Sequence, residues 1–246
     1  MNPLWERVLE AIEGLNRIGE DVEAGLPVAA KRVVPVDQDF ALPIAAERAI
    51  EVVLEGLRDG QIHPTHPRYF GLFNPAPLEV SVMADALVAA FNPQLATYSH
   101  AQWAVDVEAR LIRAFGSKLG FPECEGTFTS GGAEANTTAL LVALNERYPA
   151  YATQGARGIS PRIYVSAEAH PTTSRAARMT GLGSDAVRVI PADSQLRMKT
   201  RELAEAIAAD LAAGEQPLMI VATAGTTSAG SIDPLTELAS VAERTG

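Results

Sequence analysis

The sequence has a single cysteine and no long run of apolar residues. Cys124 cannot form a disulfide within the chain, which indicates a reducing compartment, and we expect a cytoplasmic location. No apolar stretch approaches the ~20 residues that cross a bilayer. The first residues also lack the basic and then apolar pattern of a secretory signal. We therefore expect no association with a membrane.

Positive charge is scarce, and lysine most of all. The chain has 20 basic and 30 acidic residues, giving a net charge of −10, so a nucleic acid is not the expected partner. Only three lysines occur among the 246 residues: Lys31, Lys118 and Lys199. The hydrophobic share of 47% is that of an ordinary globular protein with a sizeable core.

The first 60 residues differ in pattern from the rest. Apolar residues over 4–24 recur at helical spacing, which predicts an amphipathic helix. Three prolines over 26–43 indicate an extended linker. A second amphipathic helix is predicted over 44–59 and ends at Gly60. Because two helices joined by a long linker are hard to stabilise alone, we interpret residues 1–60 as a helical arm that packs on another subunit. The alternative is that they pack on their own domain.

Residues 61–246 are predicted to form the first part of an α/β domain. Residues 61–80 are rich in proline, glycine and aromatics and are expected to be irregular. Strand and helix then alternate, which predicts a mostly parallel sheet with helices on both faces. The pattern stops where another central strand is due, so we expect a truncated domain. The predicted strands are 162–166, 187–190 and 218–224, the last buried on both faces, and the predicted helices are 79–91, 104–119, 133–148, 171–181, 201–214 and 233–246, the last capped by Asp233.

A glycine pair precedes one of these helices, in the run Thr-Ser-Gly-Gly-Ala-Glu-Ala-Asn that starts at Thr129. Gly131 and Gly132 permit close approach of a ligand, and a helix starting near Ala133 presents unpaired N–H groups and a positive dipole end. This combination suits a phosphate. The alternative is a tight turn in which Ser130 caps the helix.

Two other segments follow predicted strands. His170 comes just after the strand 162–166, where an imidazole can stack on an aromatic ring or move a proton, although a lone histidine is often structural. Thr226 and Thr227 lie in a loop of small residues after the strand 218–224, which suits a ligand or simply a turn. Since ligands of α/β sheets bind outside the carboxyl ends of strands, we expect the three segments to converge on one crevice. No residues have the spacing of metal ligands, so no metal site is predicted.

Four segments, in order, resemble the group II pyridoxal-phosphate-dependent amino-acid decarboxylases, a family that includes the aromatic-L-amino-acid, glutamate and histidine decarboxylases. They are HPRYFGLFNPAP (66–77), TFTSGGAEANTTALLVAL (127–144), IYVSAEAHPTTSRAARMTG (163–181) and IVATAGTTSAGSIDPL (220–235). The resemblance implies fold type I, the aspartate-aminotransferase type, in which the large domain binds pyridoxal 5'-phosphate. It also implies a homodimer that decarboxylates an amino acid as a carboxy-lyase.

The resemblance also implies roles for individual residues. The backbone of Gly132 and Ala133 holds the cofactor phosphate, with Gly131 shaping the turn. His170 stacks over the pyridine ring, close to the substrate carboxylate, and is the expected catalytic residue.

Further roles follow for two loops. Thr227 contacts the oxygen substituent of the ring, with Thr226 beside it. Phe73 and Asn74 belong to the substrate pocket, together with residues of the other subunit. Leu72 stands where family members with aromatic substrates often carry tyrosine, which disfavours an aromatic substrate.

None of the three lysines lies in the context of the family's Schiff-base lysine, which follows the cofactor-binding aspartate further along the chain. We therefore expect this chain to lack both residues, to be the N-terminal half of such an enzyme, and to be inactive alone. Two alternatives stay open. One is another pyridoxal-phosphate-dependent lyase or transferase, and the other is a truncated, non-catalytic partner.

Overall fold

The computed structural model describes residues 3–16, 39, 41–71 and 75–246. Contacts divide the chain into two compact units, Met1–Pro93 and Gln94–Gly246. The boundary predicted from sequence, after residue 60, stays a prediction. Phe73 and Asn74 lie outside the described residues.

The first unit contains three described helices: α1 (Pro3–Asn16), α2 (Ala46–Asp59) and α3 (Glu79–Phe91). An ion pair of 3.3 Å between Arg7 Nη1 and Glu51 Oε1 links α1 to α2. The helix predicted over 4–24 is described only as far as residue 16, and most of the predicted linker lies outside the described residues. The prediction that Gly60 ends α2 is confirmed, since its N–H bonds to the Gly56 carbonyl.

The segment after α2 is irregular, as predicted, and two buried histidines hold it in place. His63 Nε2 lies 2.9 Å from the carbonyl oxygen of Arg58 at the end of α2. The N–H of Arg68 donates to His66 Nδ1 over 3.0 Å. Both imidazoles thus satisfy backbone groups of a proline-rich segment, which is a structural role.

The second unit alternates helices and strands, as predicted. Helix α4 precedes the glycine pair, α5 follows it, and three strands with their crossover helices come next. The elements are α4 (Gln102–Lys118), α5 (Gly132–Arg147), the short α6 (Tyr151–Gln154), β1 (Pro161–Ser166), α7 (Thr172–Met179), β2 (Val187–Ile190), α8 (Thr200–Ala212), β3 (Gln216–Val221) and α9 (Leu235–Thr245).

The three strands form a parallel sheet in the order β2-β1-β3. Tyr164 in the central strand pairs with Arg188 of β2 and with Ile220 of β3. Because successive side chains of a strand point to opposite faces, Ile163 and Val165 face one side and Tyr164 faces the other. β1 is therefore buried on both faces.

Each face carries its own buried cluster, which confirms the predicted α/β class. Leu140 and Leu144 of α5 and Ala176 and Ala177 of α7 pack with the first side of β1. On the other side, residues of α8 and α9 pack against Tyr164 around Met198. That second cluster consists of Tyr164, Ile190, Met198, Leu203, Ile207, Leu238 and Val241.

A buried carboxylate joins the second face of the sheet to α8. Asp210 is 1% exposed and accepts hydrogen bonds from the Tyr164 hydroxyl (2.9 Å) and from Arg188 Nε (3.1 Å). Burial by itself raises the pKa of Asp210, but the hydrogen bonds from Arg188 and Tyr164 outweigh it and hold that pKa below its ordinary value. Burial, and then the bond to Asp210, raises the pKa of Tyr164.

Two local predictions were wrong. The strand predicted over 218–224 and expected to be buried on both faces is β3, which covers Gln216–Val221 and is half-buried. In the described sheet β3 is an edge strand, because it pairs only with β1. Asp233 does not cap α9, whose N-cap is Pro234 without a side-chain hydrogen bond. The Asp233 carboxylate is instead buried and engaged by distant backbone groups, as described below.

Candidate active site

The site lies at the carboxyl edge of the sheet. β1 and β3 run parallel and side by side, so their carboxyl ends meet at one edge. His170 lies four residues after the last residue of β1, and Thr226 lies five residues after the last residue of β3. This edge is where α/β sheets bind their ligands.

Helix α5 begins at Gly132, one residue earlier than predicted. A Cβ built on either Gly131 or Gly132 would meet no other atom within 4 Å, so open space borders both residues. The first helical bond is donated by Ala135 N to the Gly131 carbonyl over 3.0 Å. The N–H groups of Gly132 and Ala133 therefore have no acceptor within the helix and suit an anion.

Ser130 does not cap this helix. Its backbone N–H and its hydroxyl both donate to Glu134 Oε2, each over 2.7 Å. These bonds, first from the hydroxyl and then from the backbone, lower the pKa of Glu134. The Glu134 side chain is thus ionised at neutral pH, and it stabilises the turn before the helix by accepting both bonds from Ser130.

A chain of hydrogen bonds ties α5 to the segment that carries His170. Asn136 Nδ2 lies 2.7 Å from Thr172 Oγ1, and Thr172 Oγ1 lies 3.2 Å from His170 Nδ1. The backbone N–H of Thr172 also donates to His170 Nδ1, over 3.3 Å. Thr172 is buried, whereas the imidazole of His170 is exposed.

The third segment joins the second through a longer contact. The Ser228 hydroxyl donates to Glu168 Oε2 over 3.4 Å, across the carboxyl ends of β3 and β1. Hydrogen bonds therefore link the three predicted segments, and their expected convergence on one crevice stays a prediction.

The threonine loop is a small hairpin. Thr226 is 4% exposed, donates its N–H to the Ser231 carbonyl and accepts the Ser231 N–H at its hydroxyl. Gly225 has a φ of +96°, a left-handed conformation that a side chain would strain. Thr226 thus shapes the loop from inside, and Thr227 beside it is exposed.

Asp233 fastens the base of this hairpin. Its two carboxylate oxygens accept the backbone N–H of Met198 over 2.7 Å and of Thr223 over 2.8 Å. Its own N–H donates to the Thr223 carbonyl over 2.9 Å. The aspartate thereby holds the loop after β3 against the segment that enters α8.

These residues fit a phosphorylated aromatic cofactor. The open glycine turn with its unpaired amides suits the phosphate, and an exposed imidazole and an exposed hydroxyl lie in loops bonded to the same edge. Within the part of the chain that the structure describes, no group of His, Cys, Asp or Glu is arranged to hold a metal ion. No helix in the described ranges is both long and apolar enough to span a membrane.

Sequence reasoning missed four residues that organise the site: Asn136, Thr172, Glu168 and Asp233. Asn136 and Thr172 carried usable signals, because Asn136 lies one helical turn after the glycine pair, on the same face as Gly132, and Thr172 lies two residues after His170. The partners of the others lie as far apart in sequence as 60 residues for Glu168 and Ser228. Such long-range pairs leave no local pattern.

Comparisons with known proteins agree with this geometry. Residues 32–246 match the pyridoxal-dependent decarboxylase conserved domain. Cysteine sulfinic acid decarboxylase of Mus musculus is 33% identical over 184 residues, covering 74% of this chain and 37% of that protein. Aromatic-L-amino-acid decarboxylase of Bacillus atrophaeus is 34% identical over 179 residues, covering 72% and 36%. The crystal structure of mouse CSAD in apo form superimposes with a TM-score of 0.84 at 26% identity, covering 98% of this chain and 53% of that one.

The parallel sheet, its helical layers and these structural neighbours define an enzyme fold of type I, the class that binds pyridoxal phosphate at the large domain. Within that class, the chain belongs to the pyridoxal-dependent decarboxylase family, whose cofactor is pyridoxal phosphate. It spans only 37% and 36% of the two relatives' own lengths.

Proposed function

We propose that this chain forms the cofactor-binding part of an amino-acid decarboxylase, a carboxy-lyase of amino-acid metabolism that uses pyridoxal phosphate. The observation that carries the proposal is the family match over residues 32–246, which includes all three hydrogen-bonded segments at the sheet edge. Names of similar proteins cover acidic and aromatic amino acids, so the proposal leaves the substrate side chain open.

Different residues of this chain bind the phosphate, the ring and the substrate. The N–H groups of Gly132 and Ala133, with Gly131 before them, hold the phosphate, and Thr227 contacts the oxygen substituent of the ring beside Thr226. His170 packs on the ring and orients the substrate carboxylate, and Phe73 and Asn74 line the substrate pocket. When bound, the cofactor draws off the electrons left by the broken bond between Cα and the carboxylate.

The assembly and location are part of the same proposal. We expect a homodimer in which residues 1–60 pack as an arm on the other subunit, and we expect it in the cytoplasm. Support for the dimer comes from α3, where Val80, Met83 and Leu87 are exposed within this chain. A helix that is apolar on most sides is normally covered.

The identity of the Schiff-base lysine also belongs to the proposal. Lys199 lies at the N-cap of α8 and pairs with Glu202 at 3.6 Å, and Lys118 lies in the last turn of α4. Lys118 does not follow a strand, Lys199 follows β2 but stands at the start of α8 in its ion pair with Glu202, and Lys31 lies outside the described residues. That residues 1–246 lack this lysine and are inactive alone stays a prediction. Borohydride reduction with pyridoxal phosphate should therefore leave no covalent adduct on this chain.

The test is release of CO₂. The protein that contains this chain is loaded with pyridoxal phosphate and assayed for ¹⁴CO₂ from each carboxyl-labelled amino acid. We expect one amino acid, or one chemical class, to release CO₂. Replacing His170 by Ala should slow the release ~10²-fold or more, since the residue acts on the reacting groups. The same change at His100, an exposed histidine outside the three segments of the site, is the control for general damage.

Two other outcomes would each replace the proposal. Products other than CO₂ from a cofactor-loaded protein would favour another lyase or a transferase of the same fold. A protein that binds no cofactor at all would favour the non-catalytic partner.

A further inference from the structure

The ring of His170 has two nitrogens, and the hydrogen bonds around Nδ1 decide which one carries the proton. The backbone N–H of Thr172 points at Nδ1 over 3.3 Å. A backbone N–H can only donate, so Nδ1 must accept and carries no proton in the neutral ring.

The hydroxyl of Thr172 is then fixed as well. Its oxygen lies 3.2 Å from the same Nδ1. Because Nδ1 is an acceptor, the hydroxyl must supply its own proton to this contact. Its oxygen is left to accept from elsewhere.

Asn136 supplies that donor. Its side-chain amide nitrogen lies 2.7 Å from Thr172 Oγ1, and an amide NH₂ group can only donate. The opposite amide orientation would place an oxygen there and pull the hydroxyl proton away from His170. The direction of all three bonds therefore runs from Asn136 through Thr172 to His170.

We infer that Asn136 and Thr172 are positioning residues that hold His170 as the tautomer with its proton on Nε2. The inference goes beyond the roles assigned above, because it sets what the imidazole can do. With Nδ1 occupied, the neutral ring presents Nε2–H and acts as a hydrogen-bond donor rather than as a base. Its consequence for catalysis rests on the proposed decarboxylase function, whereas the tautomer itself does not.

This relay, the chain of hydrogen bonds from Asn136 through Thr172 to His170, also links two parts of the site that lie 36 residues apart in the sequence. Asn136 lies in the first turns of α5, next to the proposed phosphate site, and Thr172 opens α7. Thr172 is buried, so water does not compete readily for its hydroxyl. The helix that binds the phosphate thereby also orients the imidazole.

The test measures the tautomer directly and needs no cofactor. The protein that contains this chain is labelled with ring-¹⁵N histidine, freed of cofactor, and studied by solid-state NMR at about pH 8.5, where an ordinary imidazole is neutral. A difference spectrum against His170→Gln assigns the two ring nitrogens. We expect Nδ1 without a proton and Nε2 with one.

A variant at Asn136 reverses the direction of these hydrogen bonds, and a matched variant at Asn145 is the control. In Asn136→Asp the carboxylate can only accept, so the Thr172 hydroxyl turns toward it and the tautomer ratio should move toward Nδ1–H roughly tenfold. Asn145→Asp adds the same charge to the same helix, where the asparagine side chain donates to the Leu141 carbonyl of its own helix, and should leave the ratio unchanged.

Variants of the middle residue separate the hydroxyl from the packing. Thr172→Val should weaken the preference for Nε2–H, and Thr172→Ser, which keeps the hydroxyl, should restore it. A wild-type ring protonated at Nδ1, or equal effects of the two Asn→Asp variants, would overturn the inference. Failure of the proposed function would appear separately, as absent CO₂ release with an intact tautomer preference.

Discussion

The sheet around β1 buries its apolar side chains, whereas the helix α3 leaves its apolar side chains exposed. Leu203, Ile207 and Tyr164 are almost completely buried between the sheet and its helices. Along α3 no residue is buried, and Leu87 and Phe91 are 61% and 82% exposed. The sheet region is therefore stabilised by contacts that this chain supplies, and the site lies at the edge of that region.

The largest expected difference comes from the same substitution made in the two regions. Leu203→Ala removes a fully buried side chain from α8 and should lower the free energy of opening the sheet by about 3 kcal/mol. Leu87→Ala on α3 should change stability by less than about 0.5 kcal/mol, because the side chain is already in water. Hydrogen exchange of the β1 and α3 amides in residues 1–246 measures both effects. Equal costs would remove the contrast between the regions.

The buried carboxylate Asp210 gives the next effect. Asp210→Asn removes the negative charge and replaces one of the two acceptor oxygens by an NH₂ group that faces the donors of Arg188 and Tyr164, which should cost about 2 kcal/mol. The cost falls below that of a fully buried pair because the Arg188 side chain is 47% exposed and stays hydrated. Exchange of the β1 amides at pH 7 reports it. Asp85→Asn, on the exposed surface of α3, serves as the control and should have no measurable effect.

The same residue predicts a dependence on pH. A folded pKa below the ordinary value means that the ionised carboxylate stabilises the fold above the unfolded pKa of ~3.9. That contribution is lost as the pH falls through the lower, folded pKa. The stability gap between the wild-type chain and Asp210→Asn should thus narrow from pH 7 to pH 3, as followed by urea unfolding. A gap that widens on acidification would contradict the assigned role.

Asp233 should show a smaller and more local effect. In Asp233→Asn one acceptor oxygen becomes an NH₂ group facing a backbone N–H, at a cost of about 1–2 kcal/mol. Hydrogen exchange should speed up over 223–232 while β1 stays protected. Glu243→Gln, on the exposed side of α9, should change neither segment. Faster exchange throughout the sheet would mean that Asp233 supports the whole fold rather than the loop.

The smallest effect is expected at the contact between the two strand-end loops. Ser228→Ala removes a 3.4 Å bond between exposed groups and should change the Kd for pyridoxal phosphate by less than about twofold. Fluorescence titration of the cofactor-free protein measures it. A tenfold loss would show that this hydroxyl binds the cofactor itself.

The sequence predicted the parts of the molecule that depend on local patterns. Apolar, β-branched runs located β1 and β2 within a residue, and glycine placed the end of α2 at Gly60. The two strand-end loops followed from the rule that parallel strands end at one edge. Those patterns sufficed for the fold class and for the place of the site.

The sequence could not predict which distant groups a polar side chain would meet. Asp233 followed by Pro234 is a typical start of a helix, yet the carboxylate accepts the backbone N–H groups of Met198 and Thr223 instead. The hydrogen bond of 2.7 Å between Asn136 Nδ2 and Thr172 Oγ1 joins residues 36 apart in the sequence, so no local pattern predicts it. The burial of a helix face depends equally on what packs against it, which the pattern of α3 does not specify.

The most direct test of the account is a crystal structure of the protein that contains this chain with pyridoxal phosphate bound. We expect the phosphate within hydrogen-bond distance, ~3 Å, of the N–H groups of Gly132 and Ala133, with the pyridine ring against His170. A phosphate bound at another helix, or a ring out of contact with His170, would contradict it.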